Sequence, residues 1–234
     1  PASCRFQVLE IGGSAVEHLS IEGSQAINCL AMFTGAITAI MNQDDKALAY
    51  AKERARIDLE PVFSDPDAAY AAVHDIDISD LEPIVVVPPS PANTKDLKDY
   101  AGTEVHVGYL GSCASGRLED LRIAAEVLRG KQVKPGFQLH VVPTSQEIME
   151  QASREGVLTD LIAAGAFVTS SSCDYCFGRL GVMSDGQRAA STGTLNVQGR
   201  MGSPDSEIYL VNAAAVAASA IEGKIADPRP YLEG

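Results

Sequence analysis

Three of the five cysteines in this 234-residue chain sit among small polar residues rather than inside apolar runs. Cys113 lies in Gly111-Ser112-Cys113, and Cys173 and Cys176 lie in Cys173-Asp174-Tyr175-Cys176 about sixty residues later. Thiols in such company read as ligands presented on loops. A cubane 4Fe-4S cluster usually takes four cysteines, so three leave one iron open to bind and polarise a substrate oxygen, as a catalytic metal keeps a vacant position. A Lewis-acid site is therefore the first expectation. Three other readings stay open at this point: a thioredoxin-like redox pair at the CxxC, a structural zinc site, and inert buried thiols. Zinc wants a fourth ligand, and none of His18, His74, His106 and His140 stands at a ligand-like spacing to these thiols. Asp174 and the serines around it suit a core poorly. Cys29, inside an apolar run, reads instead as a small buried hydrophobe.

The elements that must position these thiols come from periodicity. Phe6 to Ile11 alternates like a strand and ends at Gly12-Gly13. The run Gly23 to Met41 is dense in apolar and small residues and predicts a helix buried on most sides. Asp44 to Arg56 predicts a second helix, with acidic residues at its start and Lys52, Arg54 and Arg56 near its end. His74 to Ile78 alternates like a half-wet strand, and Ile84 to Val87 is a short apolar strand stopped by Pro88-Pro89-Ser90-Pro91. A boundary near those prolines divides residues 1–88 from 89–234. Beyond it strands and helices alternate: a strand Glu104 to Leu110, a helix Arg117 to Leu128, a strand Phe137 to Val142, and a helix opened by the capping-box pattern Thr144-Ser145-Gln146-Glu147. A further helix over Val157 to Ala164, a short strand Ala166 to Val168, a strand Glu207 to Val211 and a small-residue helix Ala213 to Ile221 complete the reading. Such alternation predicts an α/β fold with mostly parallel sheets flanked by helices. Cys113 and Cys173 each follow a strand, where open α/β sheets place their ligands.

Composition narrows the partners. A formal net charge of -13 and a pI near 4.6 argue against nucleic acid or an anionic membrane surface. An odd number of cysteines, with no secretory signal in view and no apolar run of membrane-spanning length, favours a reducing, cytoplasmic setting.

Gly111-Ser112-Cys113-Ala114-Ser115-Gly116-Arg117 with Glu119-Asp120-Leu121, Cys173-x-x-Cys176-x-Gly178, Ser191-Thr192 and Gly199-Arg200-Met201-Gly202 resemble the aconitase superfamily. The branch most similar is that of the 3-isopropylmalate dehydratase and homoaconitase large subunits. Leu9-Glu10-Ile11-Gly12-Gly13, Ser64-Asp65-Pro66-Asp67-Ala68 and the stretch Ala217 to Pro228 look like that family too, so the resemblance covers almost the whole chain. It implies aconitase-like α/β domains around a 4Fe-4S cluster held by Cys113, Cys173 and Cys176. It also implies a carbon-oxygen lyase, a hydro-lyase that removes water from a small hydroxy-carboxylic acid and adds it back. Arg200, which by its own surroundings reads as a solvated turn residue, matches a family arginine that anchors a substrate carboxylate. Ser112 and Arg117, on the first ligand loop, are further candidates for the substrate shell.

The departures from the family pattern are equally specific. Thr194-Leu195-Asn196-Val197 stands where the family has Asn-Arg-Asn-Phe, which replaces a substrate arginine by an apolar side chain. Asn28-Cys29 stands where the family has Cys-Asn, with Phe33 at the place of a catalytic glutamate. Asp174-Tyr175 replaces Gly-Pro, and Ala114-Ser115 replaces Thr-Asn. No catalytic base can be assigned. The family's N-terminal α/β domain and its swivel domain lie outside this sequence, so a separate small swivel subunit is expected as partner. Loss of one carboxylate-binding arginine predicts a substrate with one carboxylate fewer or a larger alkyl group. The competing hypothesis is a non-catalytic or regulatory iron-sulfur protein on the same fold.

Overall fold

A computed structural model of the chain describes residues 4–42, 44–111 and 113–232. Two compact units make up the chain, Pro1–Leu81 and Glu82–Gly234.

In the first unit, strand β1 (Val8–Ile11) pairs in parallel with β2 (Thr38–Met41). Between them lie helices α1 (Ser14–His18) and α2 (Ile21–Leu30), and α3 (Asp45–Arg54) follows. The expected long helix over Gly23 to Met41 is thus a helix, a 3-10 turn at Ala31–Thr34 and a strand. Gly35 turns the chain with φ 86°, and the β-branched Ile37, Thr38 and Ile40 beyond it favour extended backbone. Nor is α2 buried on most sides: none of its residues is buried, and Cys29 is partly exposed. A single two-stranded sheet offers too little surface to cover a helix. Asp44 is the N-cap of α3, accepting from Ala47 N at 2.8 Å. The strand expected at His74 to Ile78 is absent, because no neighbouring strand pairs with it and Asp77 folds back onto Ser79.

The second unit is built on a seven-stranded sheet of order β4-β3-β9-β8-β5-β6-β7. The strands are β3 (Ile84–Val86), β4 (Thr94–Asp96), β5 (Val107–Leu110), β6 (Gln138–Val141), β7 (Phe167–Val168), β8 (Arg188–Ser191) and β9 (Glu207–Leu210). From β9 to β7 all neighbours are parallel, and the antiparallel β3 and β4 close one edge. Since β3 pairs with β4 and β9, it belongs to the second unit, and Pro88 to Pro91 lies in the turn of the β3–β4 hairpin instead of linking two units. Val87 N donates to Asn93 O at 2.8 Å across that turn.

Alternation along the strands gives the sheet two different faces. Leu110, Leu139, Val141 and Ala190 point to one face and pack with α4 (Leu118–Leu128), α5 (Gln146–Arg154), α6 (Val157–Ala163) and α7 (Ala213–Glu222) in one core. Helix α4 buries Leu118, Leu121, Ala125 and Leu128, the i, i+3, i+7, i+10 stripe of an amphipathic helix. Helix α7 is fully enclosed from Ala213 to Ala220 because alanine lets backbones approach closely and favours helix strongly. Its N-cap Asn212 accepts from Ala215 N at 2.8 Å. Asn212→Ala is expected to remove about 1 kcal/mol of stability, read as a lower denaturant midpoint at unchanged slope.

The other face carries Val107, Tyr109, Ala189 and Ile208. It is covered by Tyr175, Cys176, Met183 and Met201, all from loops. The loop with Cys173 and Cys176 is therefore anchored in a core through Tyr175 and Cys176.

Candidate metal centre

Cys113 leaves the carboxyl end of β5, and the loop holding Cys173 and Cys176 leaves the carboxyl end of β7. Cys113 and Cys173 line a common cavity of about 240 Å³ with Val142, Pro143, Thr144, Ser171 and Ser172. Both are exposed thiols, whereas Cys176 is buried at 3% exposure in the sheet-side core. None of the five cysteines is in a disulfide. Burial pushes the Cys173 thiol above its ordinary range, and the neighbouring Cys176 and Cys113 push it further. Three thiolates gathered here repel one another, so a bound cation would favour their common deprotonation.

Each ligand loop is tied down by contacts distant in sequence. Thr192, just after β8, accepts from Gly111 N at 2.9 Å and donates back to Gly111 O at 3.0 Å. Thr144 donates to Ser115 O at 2.6 Å, and the N-cap of α5 is Ser145, accepting from Ile148 N. The N-cap thus falls one residue later than the expected Thr144, which is committed to the first ligand loop, and Ser145 caps alone, since the third helical residue is then Ile148 instead of Glu147. Asp120 on α4 accepts from Ser115 Oγ at 3.0 Å and from Arg117 N at 3.2 Å. In the second loop, Asp174 accepts from Ser172 Oγ at 2.5 Å. Tyr175 lies between two rings, stacked on Tyr109 (centroids 6.4 Å, planes 18° apart) and 4.8 Å from His140. His140 is itself buried, which lowers its pKa and keeps the imidazole neutral.

Arg200 joins the thiols: its Nη2 donates to Cys176 Sγ at 3.2 Å, and its guanidinium lies 4.5 Å above the Phe177 ring. Its Nε is buried with no partner among the described residues. Arg117 instead turns its Nη2 to Cys113 O at 3.3 Å, bracing the loop backbone. Ser112 lies outside the described residues. Leu195 is partly buried, and the neighbouring Asn196, at 1% exposure, donates to Val86 O at 3.3 Å. Phe33 and Asn28 lie in the first unit, where Asn28 lines a separate cavity of about 220 Å³.

Thr192, Thr144 and Asp120 stand in motifs that the sequence shows, but their role in holding the first loop is missed there, as is Tyr109, which packs against Cys176. The one available signal for Tyr109 was an aromatic residue with a hydroxyl in a strand otherwise buried end to end.

The donor set fits an iron-sulfur cluster. Cys113 and Cys173 line one cavity, Cys176 adjoins Cys173, a guanidinium donates to the Cys176 sulfur, and an unmatched buried hydroxyl lies beside them. Among the described residues, no three His, Cys, Asp or Glu side chains stand close enough to hold one ion. A cubane's ligands bind separate irons and stand further apart than the donors of a single ion.

The family model of the aconitase family (aconitate hydratase) matches residues 5–223 of the chain. The 3-isopropylmalate dehydratase large subunit 1 of Methanopyrus kandleri is 41% identical over 228 residues, covering 97% of this chain and 54% of that protein. The large subunit of the same name from Halothermothrix orenii is 39% identical over 228 residues, 97% of this chain and 54% of its own length. That of Nautilia profundicola is 42% identical over 232 residues, 96% of this chain and 55% of its own length. This chain spans about half the length of the curated relatives it matches.

Proposed function

The chain belongs to the aconitase family, and from that membership we propose that it is the large-subunit part of an iron-sulfur hydro-lyase acting on a small hydroxy-carboxylic acid. The observation that supports the reading is that Cys113 and Cys173 line one cavity at the carboxyl ends of β5 and β7, while Cys176 adjoins Cys173 and its sulfur accepts from Arg200.

Cys113, Cys173 and Cys176 would hold a 4Fe-4S cluster, which when bound supplies a Lewis-acidic iron that makes hydroxide a better leaving group. The chain's own residues supply the rest. Arg200 presents a buried, unmatched Nε, a donor for a substrate carboxylate beside the thiols. Leu195, in the position of a family arginine, offers an apolar side chain, which favours an alkyl group over a second carboxylate. Arg117 supports the site by bracing the Cys113 loop, and Ser112 stays a candidate for the substrate shell. The printed names of the relatives contain "large subunit", which supports a small subunit as partner here. Five thiols outside any disulfide suit a reducing compartment such as the cytoplasm. No helix among the described residues is long and apolar enough to cross a membrane.

Iron and acid-labile sulfide per chain, measured after anaerobic reconstitution, test the reading. About four of each are expected in the wild type, with loss in Cys113→Ala. Zinc or no metal in the wild type, with Cys113→Ala indistinguishable from it, would overturn the proposal. A cluster that is present without turnover of any hydroxy acid, in the presence of the small subunit, would turn it to the non-catalytic alternative.

A further inference from the structure

Tyr109 has 0% exposure, yet its hydroxyl has no hydrogen-bond partner among the described residues. A buried hydroxyl left unmatched is a standing penalty, and native cores rarely keep one without a reason. The ring cannot swing away to find a partner. It packs with Val107, Val142, Tyr175 and Cys176 in the sheet-side core, and Tyr175 stacks on it in near-parallel planes. Gly111 closes against its far end: a Cβ there would lie 3.2 Å from Tyr109 Cζ.

The surroundings of the hydroxyl are specific. The ring shares its core with Cys176 and with Tyr175 of the second ligand loop, and Gly111, two residues before Cys113, closes on its hydroxyl end. Tyr109 therefore adjoins both ligand loops. Tyr109 thus brings a rigid, neutral O–H donor to a place where a bound cluster would bring sulfur acceptors.

We propose that Tyr109 donates a hydrogen bond from its hydroxyl to a sulfur of the bound cluster, tuning the cluster's reduction potential and slowing its loss. This rests on the cluster reading above. A donor to sulfur favours the more negative, reduced state, so it raises the potential. It also gives the orphan hydroxyl its missing partner, so the holo form gains what the apo form lacks.

Tyr109→Phe keeps the ring and its stacking and removes only the hydroxyl. Reconstituted wild type and variant are compared in a redox titration followed by electron paramagnetic resonance, and in the rate of iron loss to a chelator. The variant is expected to show a more negative midpoint potential and about tenfold faster loss, equivalent to about 1.4 kcal/mol. Melting of the two apo proteins gives an independent readout. The variant should melt at the same or a higher temperature, since an unmatched buried hydroxyl has been removed. Equal potentials and equal loss rates, with both proteins loaded, overturn the inference and leave the cluster reading standing. An apo variant that melts lower overturns it too, for the hydroxyl would then serve the protein alone. A wild type that takes up no cluster overturns both readings.

Discussion

Gly178→Ala is expected to detach the Cys173–Cys176 loop from the sheet and to remove cluster binding with it. Gly178 sits two residues beyond Cys176 at φ 64°, and a Cβ there would lie 2.6 Å from Met201 C and 2.7 Å from Gly202 N. Both neighbours are backbone, so no side chain can turn aside to make room. The left-handed conformation costs an alanine about 1–2 kcal/mol, and overpacking adds about 1–3 kcal/mol. Together these predict a loss of about 2–5 kcal/mol. Because Met201 adjoins Arg200, relief of the clash must also move the Arg200 guanidinium off the Cys176 sulfur. Gly186→Ala is the control. Gly186 has φ 72° but open space for at least 4 Å around an added methyl, so that substitution should show the conformational penalty alone and keep its iron. Denaturant unfolding and iron content of the two variants check the prediction. Equal effects from both would mean that backbone conformation, not the approach to Met201, sets the loss.

Arg200→Lys is expected to leave about four irons per chain in place and to lower kcat/KM by about 10²–10³-fold, assayed with the small subunit present. Lysine keeps the positive charge, so the thiol site keeps its countercharge. It loses the planar fork, which here spends Nη2 on Cys176 Sγ, sits 4.5 Å above the Phe177 ring and leaves Nε unmatched. A single ammonium cannot hold the sulfur and a carboxylate in the same geometry. Loss of iron in parallel with activity would place Arg200 among the groups that hold the cluster rather than the substrate. Unchanged kcat/KM would remove it from the site.

The candidate ligand set is legible in the sequence because its signal is local. A CxxC and a Gly-Ser-Cys loop, each after an apolar strand, are patterns within a dozen residues. The parallel sheet is legible for a similar reason, since alternation of strand and helix leaves few ways to bury both. The first unit departs from expectation where local pattern is the only guide. The apolar run Gly23 to Met41 has helical density, but Gly35 and the β-branched residues after it split the run into a helix and a strand.

What the sequence determined by itself is the chemistry on offer: three thiols in a one-plus-two spacing, an arginine at Arg200, and leucine at Leu195 in a position where the family pattern carries charge. These are properties of residue type and spacing, which no fold can alter. What the tertiary structure decided is how those groups are held. Thr192 reaches Gly111 across 81 residues of chain and Asn196 reaches Val86 across 110. Tyr109 and Cys176 come together only because strand β5 and the loop after β7 share one face of the sheet. Partners so far apart leave no periodic trace in the sequence, because each contact depends on strand order and on which face a side chain takes. Closing the sheet in the order β8-β5-β6-β7 sets both at once, and with them the place where the thiols meet.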